Sequence, residues 1–183
     1  LATARESFGR IDGTLISVGG PPTGPVSAIT DEQWLSAFSS VFLGAVRMAR
    51  TFAAALADNP QGGAIALVLS QSVRQPIPNL ATSNGLRPGL AMVAKTLADE
   101  YGPRGVRVLG LLPGRLATDR LLEMDGATGD PAAARARASE AIPLRRYGEP
   151  AEFGAVAAFL LSPAASYLTG VMVPVDGGAI RSL

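Results

Sequence analysis

The sequence predicts an α/β fold built on a doubly wound parallel sheet. Three observations carry that prediction. Two runs, Ala64-Ile-Ala-Leu-Val-Leu-Ser70 and Val106 to Leu112, are apolar without alternation and are bounded by glycine and proline. Strands covered on both faces read this way. The stretches following the first apolar segments repeat their large apolar residues at helical period. A last short strand, Val171 to Val175, stops at Asp176-Gly177-Gly178.

Each element can be justified in turn. Leu1 to Gly9 reads as the tail of a helix. Ile11 to Val18 is a short apolar strand halted by Gly19-Gly20-Pro21-Pro22. Thr30-Asp31-Glu32-Gln33 has capping-box spacing: the Thr30 hydroxyl can accept an N–H, and Gln33 can reach back. Trp34, Phe38, Val41, Ala45, Met48 and Phe52 then recur as one long amphipathic helix, broken by Asn59-Pro60-Gln61-Gly62-Gly63. That stripe reads as core or subunit interface. After Ala64 to Ser70 a second helix carries Leu86, Leu90, Val93 and Leu97 and ends near Gly102-Pro103. Pro88 lies in its first half. Either the helix is kinked there or it starts at Pro88, because proline disfavours a helical residue before it. Val106 to Leu112 is the next buried strand. Pro113 to about Ile142 has no strand pattern, but the alanine-rich stretch Pro131 to Ala141 should be a short helix. Gly148-Glu149-Pro150 opens another, with Phe153, Val156, Ala157 and Leu160 on one face. The order is βαβαβ, then loop and helix, then β, with neither repeat nor linker, so residues 1–183 are one domain or part of one.

Composition narrows the function. The chain has 183 residues, enough for one domain with a real core. It is 48% hydrophobic and 17% charged, which argues against disorder. A formal charge of +1 gives no electrostatic case for nucleic acid or an anionic membrane. Cysteine is absent, which excludes disulfides, thiolate metal sites and cysteine nucleophiles. Histidine is absent too, which excludes Ser-His-Asp hydrolysis, imidazole acid–base work and most zinc sites. No uninterrupted apolar run approaches the ~20 residues that span a bilayer. No signal-peptide pattern is present, so a cytoplasmic protein is expected.

Three segments carry a resemblance. Arg107-Val-Leu-Gly-Leu-Leu-Pro-Gly-Arg-Leu-Ala-Thr118, followed by Arg145-Arg-Tyr-Gly-Glu-Pro150 and Thr169-Gly-Val-Met-Val-Pro-Val-Asp-Gly-Gly178, resembles the C-terminal half of a short-chain dehydrogenase/reductase. The resemblance implies the Rossmann-like fold of that family, here its strands four to seven and their helices. Ile16-Ser17-Val18-Gly19 and the following Gly-Pro-Pro look like a divergent ketoacyl-carrier-protein-reductase-like branch. The family's dinucleotide-binding turn, Gly-x-x-x-Gly-x-Gly between a strand and a helix, is not in this sequence, and roughly 60–80 residues are expected to precede Leu1.

The resemblance also assigns residues. It implies NAD or NADP as cofactor, with Gly19, Arg87, Pro113, Gly114, Leu116 and Thr118 against it, and a small carbonyl or alcohol as substrate. The family works with asparagine, serine, tyrosine and lysine. By position these become Val41, Ser70, Ser83 and Arg87, so the implied catalytic set is Ser70, Ser83 and Arg87. Residues 116–142 correspond to a lid over the substrate, and the family's pairing of long helices implies a homodimer or homotetramer.

A serine hydroxyl is a far weaker acid than a phenol of pKa about 10. Arg87 stays charged and donates no proton. It can place positive charge beside a developing alkoxide and grip ribose hydroxyls. General acid catalysis contributes about 10²–10⁴-fold, so its loss slows hydride transfer without forbidding it, and a water held by Ser83 and Ser70 could carry the proton. Bland alternatives stand beside each role: Ser70 as a strand-end cap, Ser83 as a helix N-cap, Arg87 as a solvated or interface arginine, Asp176-Gly177-Gly178 as a turn, and Tyr101 and Tyr147 as packing or surface residues. Two functions therefore compete: an oxidoreductase with a non-standard catalytic set, and a non-catalytic nucleotide-binding or scaffold module on the same fold.

Overall fold

The computed structural model describes residues 1–126 and 129–182. In chain order it contains helix α1 (Ala2–Phe8), strand β1 (Gly13–Ile16), helix α2 (Asp31–Ala37), a π-helical segment (Phe38–Leu43) and helix α3 (Gly44–Ala57). Then come β2 (Gly63–Val68), α4 (Ala81–Tyr101), β3 (Val106–Pro113), α5 (Asp119–Gly126), α6 (Pro131–Glu140), α7 (Pro150–Leu161) and β4 (Met172–Val175). All pairings are parallel, in the order β1-β2-β3-β4.

The two continuous apolar runs are the central strands, and both faces of each are covered. Ile65, Leu67, Val106, Val108 and Leu112 pack with the buried alanines and leucines of α3 and α4. Ala66, Leu109 and Leu111 point the other way, onto Ala157 and Leu160 of α7. Leu56 and Leu90 are fully buried, each worth about 1.5–3 kcal/mol of transfer free energy. The strand order steps in one direction while α3 and α4 cover one face and α7 the other. The β3–α7–β4 crossover is therefore opposite in hand to the first two, against a preference that holds in about 98% of such units.

Several expectations needed correction. β1 is only Gly13–Ile16, because its ladder runs from Gly13 opposite Ala64 to Ile16 opposite Leu67 and it has one neighbour. β2 ends at Val68, which leaves Ser70 beyond the strand. α4 starts at Ala81, so Pro88 sits inside a 21-residue helix. α5 lies in a segment where no element was expected before Pro131. The capping box forms as read, with Gln33 N donating to Thr30 Oγ1 at 3.3 Å and Thr30 N to Gln33 Oε1 at 3.0 Å. The helix it opens runs 27 residues, Asp31–Ala57, long and apolar enough by length and composition to cross a membrane. The run-length reading missed this because polar residues interrupt the sequence. Here Ala45, Ala49, Ala53 and Leu56 bury one stripe of it in the core.

The π-helical turn adds one residue to that helix at Val41, which is 2% exposed. Phe38 and Phe42 stack across it at 5.2 Å. On the facing helix, a Cβ at Gly85 would lie 3.0 Å from the Trp34 ring, and one at Gly89 2.9 Å from Phe42. Two absent side chains on α4 thus make room for two aromatic rings.

Candidate active site at the carboxyl ends of the strands

In an open parallel sheet the crevice for a ligand lies beyond the carboxyl ends of the strands. The residues singled out by resemblance converge there in two groups.

The first group surrounds the end of β2. Ser83 and Arg87 lie one turn apart on α4, 5% and 7% exposed. Because the helix already runs through Ser83, their relative geometry is fixed, and Ser83 is an interior helical residue rather than the N-cap, which is Leu80. Arg87 Nη1 donates to the Val68 carbonyl at 2.9 Å, at the last residue of β2. Ser70, half-buried, starts a 3₁₀ turn (Gln71–Val73), and its Oγ accepts the Ser72 amide at 3.1 Å. Ser72 then reaches α4: its Oγ lies 3.0 Å from Ser83 Oγ and donates to the Ser83 carbonyl at 3.2 Å. Sequence reasoning missed Ser72. Its signal was the repeat of serine two residues after a strand-end serine, a pattern that favours side-chain-to-backbone turns.

The loop after β1 is fastened to this group. Thr82 Oγ1 donates to the Pro22 carbonyl at 2.8 Å, Gly24 N to Asn79 O at 2.7 Å and Ala81 N to Gly24 O at 3.2 Å. Asn84 clasps Ile77 through both amide atoms, at 3.0 and 2.9 Å. Gly19 is exposed at the mouth of that loop, and a Cβ there would meet no atom within 4 Å.

The second group surrounds the ends of β3 and β4. Pro113 is the last residue of β3. Gly114 N donates to Val175 O at 3.0 Å, and a Cβ at Gly114 would lie 2.6 Å from Asp176 Cα, so only glycine passes here without displacing the next turn. Leu116 forms a parallel bridge with Gly148. Thr118 is exposed, and its carbonyl accepts the amides of Leu121 and Leu122, which starts α5. Asp176 accepts from the amides of Gly178 and Ile180, both at 2.8 Å, so Asp176-Gly177-Gly178 is a turn. Asp176 also accepts from Gln71 Nε2 at 3.3 Å. Gln71, next to Ser70, thereby links the two groups across β3.

The charges nearby are mostly engaged. Arg146 grips Glu152 through two bonds of 2.7 Å. That pairing, with the Glu149 amide, lowers the Glu152 carboxyl to about 2. Tyr147 is 1% exposed. Burial first, then its bond to Asp125, raise its phenol above the ordinary value. Its hydroxyl bonds Asp125 and Arg115, so it is a packing residue with a buried polar tip.

Known proteins align with this arrangement. The family model described as enoyl-(acyl carrier protein) reductase matches residues 1–179. An uncharacterized oxidoreductase of Mycobacterium tuberculosis is 34% identical over 176 residues, 93% of this chain and 64% of that protein. The chain thus spans just under two thirds of the length of that relative. The NADPH-bound short-chain oxidoreductase of Pseudomonas aeruginosa, described as containing an atypical catalytic center, superposes with a TM-score of 0.90 at 27% identity, covering 100% of this chain and 70% of that one. L-sorbose reductase of Gluconobacter frateurii, solved with NADPH and L-sorbose, gives 0.92 at 28% identity, covering 100% and 71%. By its order of strands and helices and by these matches, the chain belongs to the short-chain dehydrogenase/reductase family.

Proposed function

We propose that the chain carries the substrate half of an NAD(P)-dependent oxidoreductase that interconverts a carbonyl and an alcohol on a small molecule. A hydroxyl-and-guanidinium set, Ser70, Ser83 and Arg87, replaces the usual phenol and ammonium. One observation carries the reading: Ser83 and Arg87 are buried one turn apart at the carboxyl end of β2 and tied to Ser70 through Ser72. The residues suit the nicotinamide end of the cofactor. Gly19 borders open space, Gly114 keeps the end of β3 flush, and Thr118 is exposed beside Leu116. Arg87, Pro113 and Gly114 complete that set. The relatives solved with NADPH support the same cofactor class.

When bound, the nicotinamide supplies or takes up hydride. The chain's own residues do the rest. Ser70 donates a hydrogen bond to the substrate oxygen. Arg87 donates to the Val68 carbonyl and adds a permanent positive charge near the oxygen as it becomes an alkoxide. Ser83, bonded to Ser72, holds the water that delivers the proton. Without a phenol, turnover should be slower by about 10²–10⁴-fold than in a relative that has one.

A second reading is favoured by the same bonds. Ser83's hydroxyl already engages Ser72, and both Ser83 and Arg87 are buried, which suits a non-catalytic nucleotide-binding or scaffold module. Fluorescence titration of the intact protein with NADPH and NADH tests the first reading; no quenching by either nucleotide removes it. The paired substitution Ser83→Tyr with Arg87→Lys separates the two. A large gain in reductase activity marks a decayed site, and a loss marks a working alternative one.

We further propose a cytoplasmic homodimer or homotetramer joined through the long helices, whose outward faces leave Leu35, Phe38, Met48 and Met92 exposed, and a lid formed by residues 116–142.

A further inference from the structure

Tyr147 sits in the loop before α7, and three other parts of the chain meet on it. Its hydroxyl donates to Asp125 Oδ2 of α5 at 2.9 Å and accepts from Arg115 Nη1, in the loop after β3, at 3.1 Å. The guanidiniums of Arg115 and of Arg135, on α6, stand 5.7 and 5.0 Å from the ring centroid. Arg115 also lies 3.8 Å from the Asp125 carboxylate. α5 packs chiefly on α6. The ring and hydroxyl of Tyr147 therefore tie the α5–α6 pair to the body. Asp125 is 7% exposed, and a carboxylate at such depth is held by hydrogen bonds or is destabilising. At its other end α5 grows directly out of Thr118, whose carbonyl caps the first turn.

We propose that Tyr147 is a positioning residue whose hydroxyl latches α5 to the body and thereby fixes where Thr118 meets the cofactor. The cofactor half of this statement rests on the functional reading above; the latch does not. A neutral phenol is the form that can donate to Asp125, and burial keeps it neutral.

Hydrogen exchange followed by mass spectrometry, with NADPH titration, on the intact protein separates the two halves. The variants are Tyr147→Phe, which keeps the ring and its arginine contacts, Asp125→Asn, which keeps an acceptor, and Tyr167→Phe, fully exposed, as control. In Tyr147→Phe, peptides covering α5 should exchange about 10- to 100-fold faster, as expected for one lost hydrogen bond to a charged group. Peptides of β2 and β3 should be unchanged. Asp125→Asn should fall between wild type and Tyr147→Phe, and Tyr167→Phe should match wild type. The NADPH dissociation constant should rise severalfold in Tyr147→Phe while kcat at saturating NADPH stays near wild type. Unchanged α5 exchange in Tyr147→Phe overturns the latch. Faster α5 exchange with unaltered NADPH affinity overturns the positioning role. If the wild type binds neither NADPH nor NADH, the functional reading has failed, and the exchange rates still decide the latch.

Discussion

Arg87 and Ser83 are neighbours on one helix, yet their removal should have unequal effects. Arg87 donates a charged hydrogen bond to the Val68 carbonyl from a nearly closed position. Arg87→Met strands that carbonyl and should lower stability by about 1–3 kcal/mol, read as a lower urea midpoint at unchanged slope. Ser83→Ala leaves Ser72 Oγ its bond to the Ser83 carbonyl, so the loss should stay under about 1 kcal/mol. Equal losses in the two variants would contradict this division. Ser70, Ser83 and Arg87 could be placed from sequence because the family resemblance assigns them position by position, without knowledge of any contact. Ser72 could not, because its reach to Ser83 depends on the tight turn that Ser70 starts. Tyr147 was legible only as a packing or surface residue, and its partner Asp125 was not, since the two are 22 residues apart and meet through tertiary structure alone.

Helices α4 and α7 show opposite degrees of agreement with local preference. In α4, Pro88 interrupts the amide ladder of a buried helix that persists because both ends are fixed, by Thr82 and Asn84 at the start and by packing on β3 beyond. Proline inside a helix costs about 3 kcal/mol, offset in part by the smaller entropy of its unfolded chain. Pro88→Ala should therefore raise stability by about 1–2 kcal/mol in thermal or urea melts. The sequence left two starts open for this helix because the penalty for proline is local, while the contacts that outweigh it come from distant loops. α7 needs no such rescue: the Glu149 amide donates to Glu152 Oε2 at 2.8 Å, and Arg146 holds Glu152. The Glu152 carboxyl is depressed in the folded chain to about 2, against ~4.3 unfolded. Its contribution is thus complete above ~4.3 and disappears as pH falls through about 2. An NMR titration of the Glu152 side-chain carbonyl should show a midpoint near 2 in the wild type and a clearly higher one in Arg146→Gln, still below the ordinary glutamate value because the Glu149 amide remains.

Parallel strand order was readable from the two unbroken apolar runs and the helical segments that follow them. The face taken by α7 was not, because periodicity shows that a helix has an apolar side without saying which side of a sheet receives it. Its reversed crossover divides the interior into two cores that share the sheet but few side chains. On the outer surface, Leu35, Phe38, Met48 and Met92 remain exposed along the long helices. Phe38→Glu together with Met92→Glu should convert the proposed homo-oligomer to monomer in light scattering coupled to size-exclusion chromatography, with the far-UV spectrum retained. An unchanged mass would place the subunit contact elsewhere. The extra residue at Phe38–Leu43 is taken up inside this surface as a local widening of the helix. Deleting one position there would let the segment wind as a regular rod, and what lies ahead of it would keep nearly its present facing, because the wider turn already absorbs the added residue. The indole of Trp34 would stay over Gly85, while the stack of Phe38 on Phe42 would be broken. A single-codon deletion at this spot would thus be almost silent in helix content and give an approaching copy a different relief only where those two rings now stand.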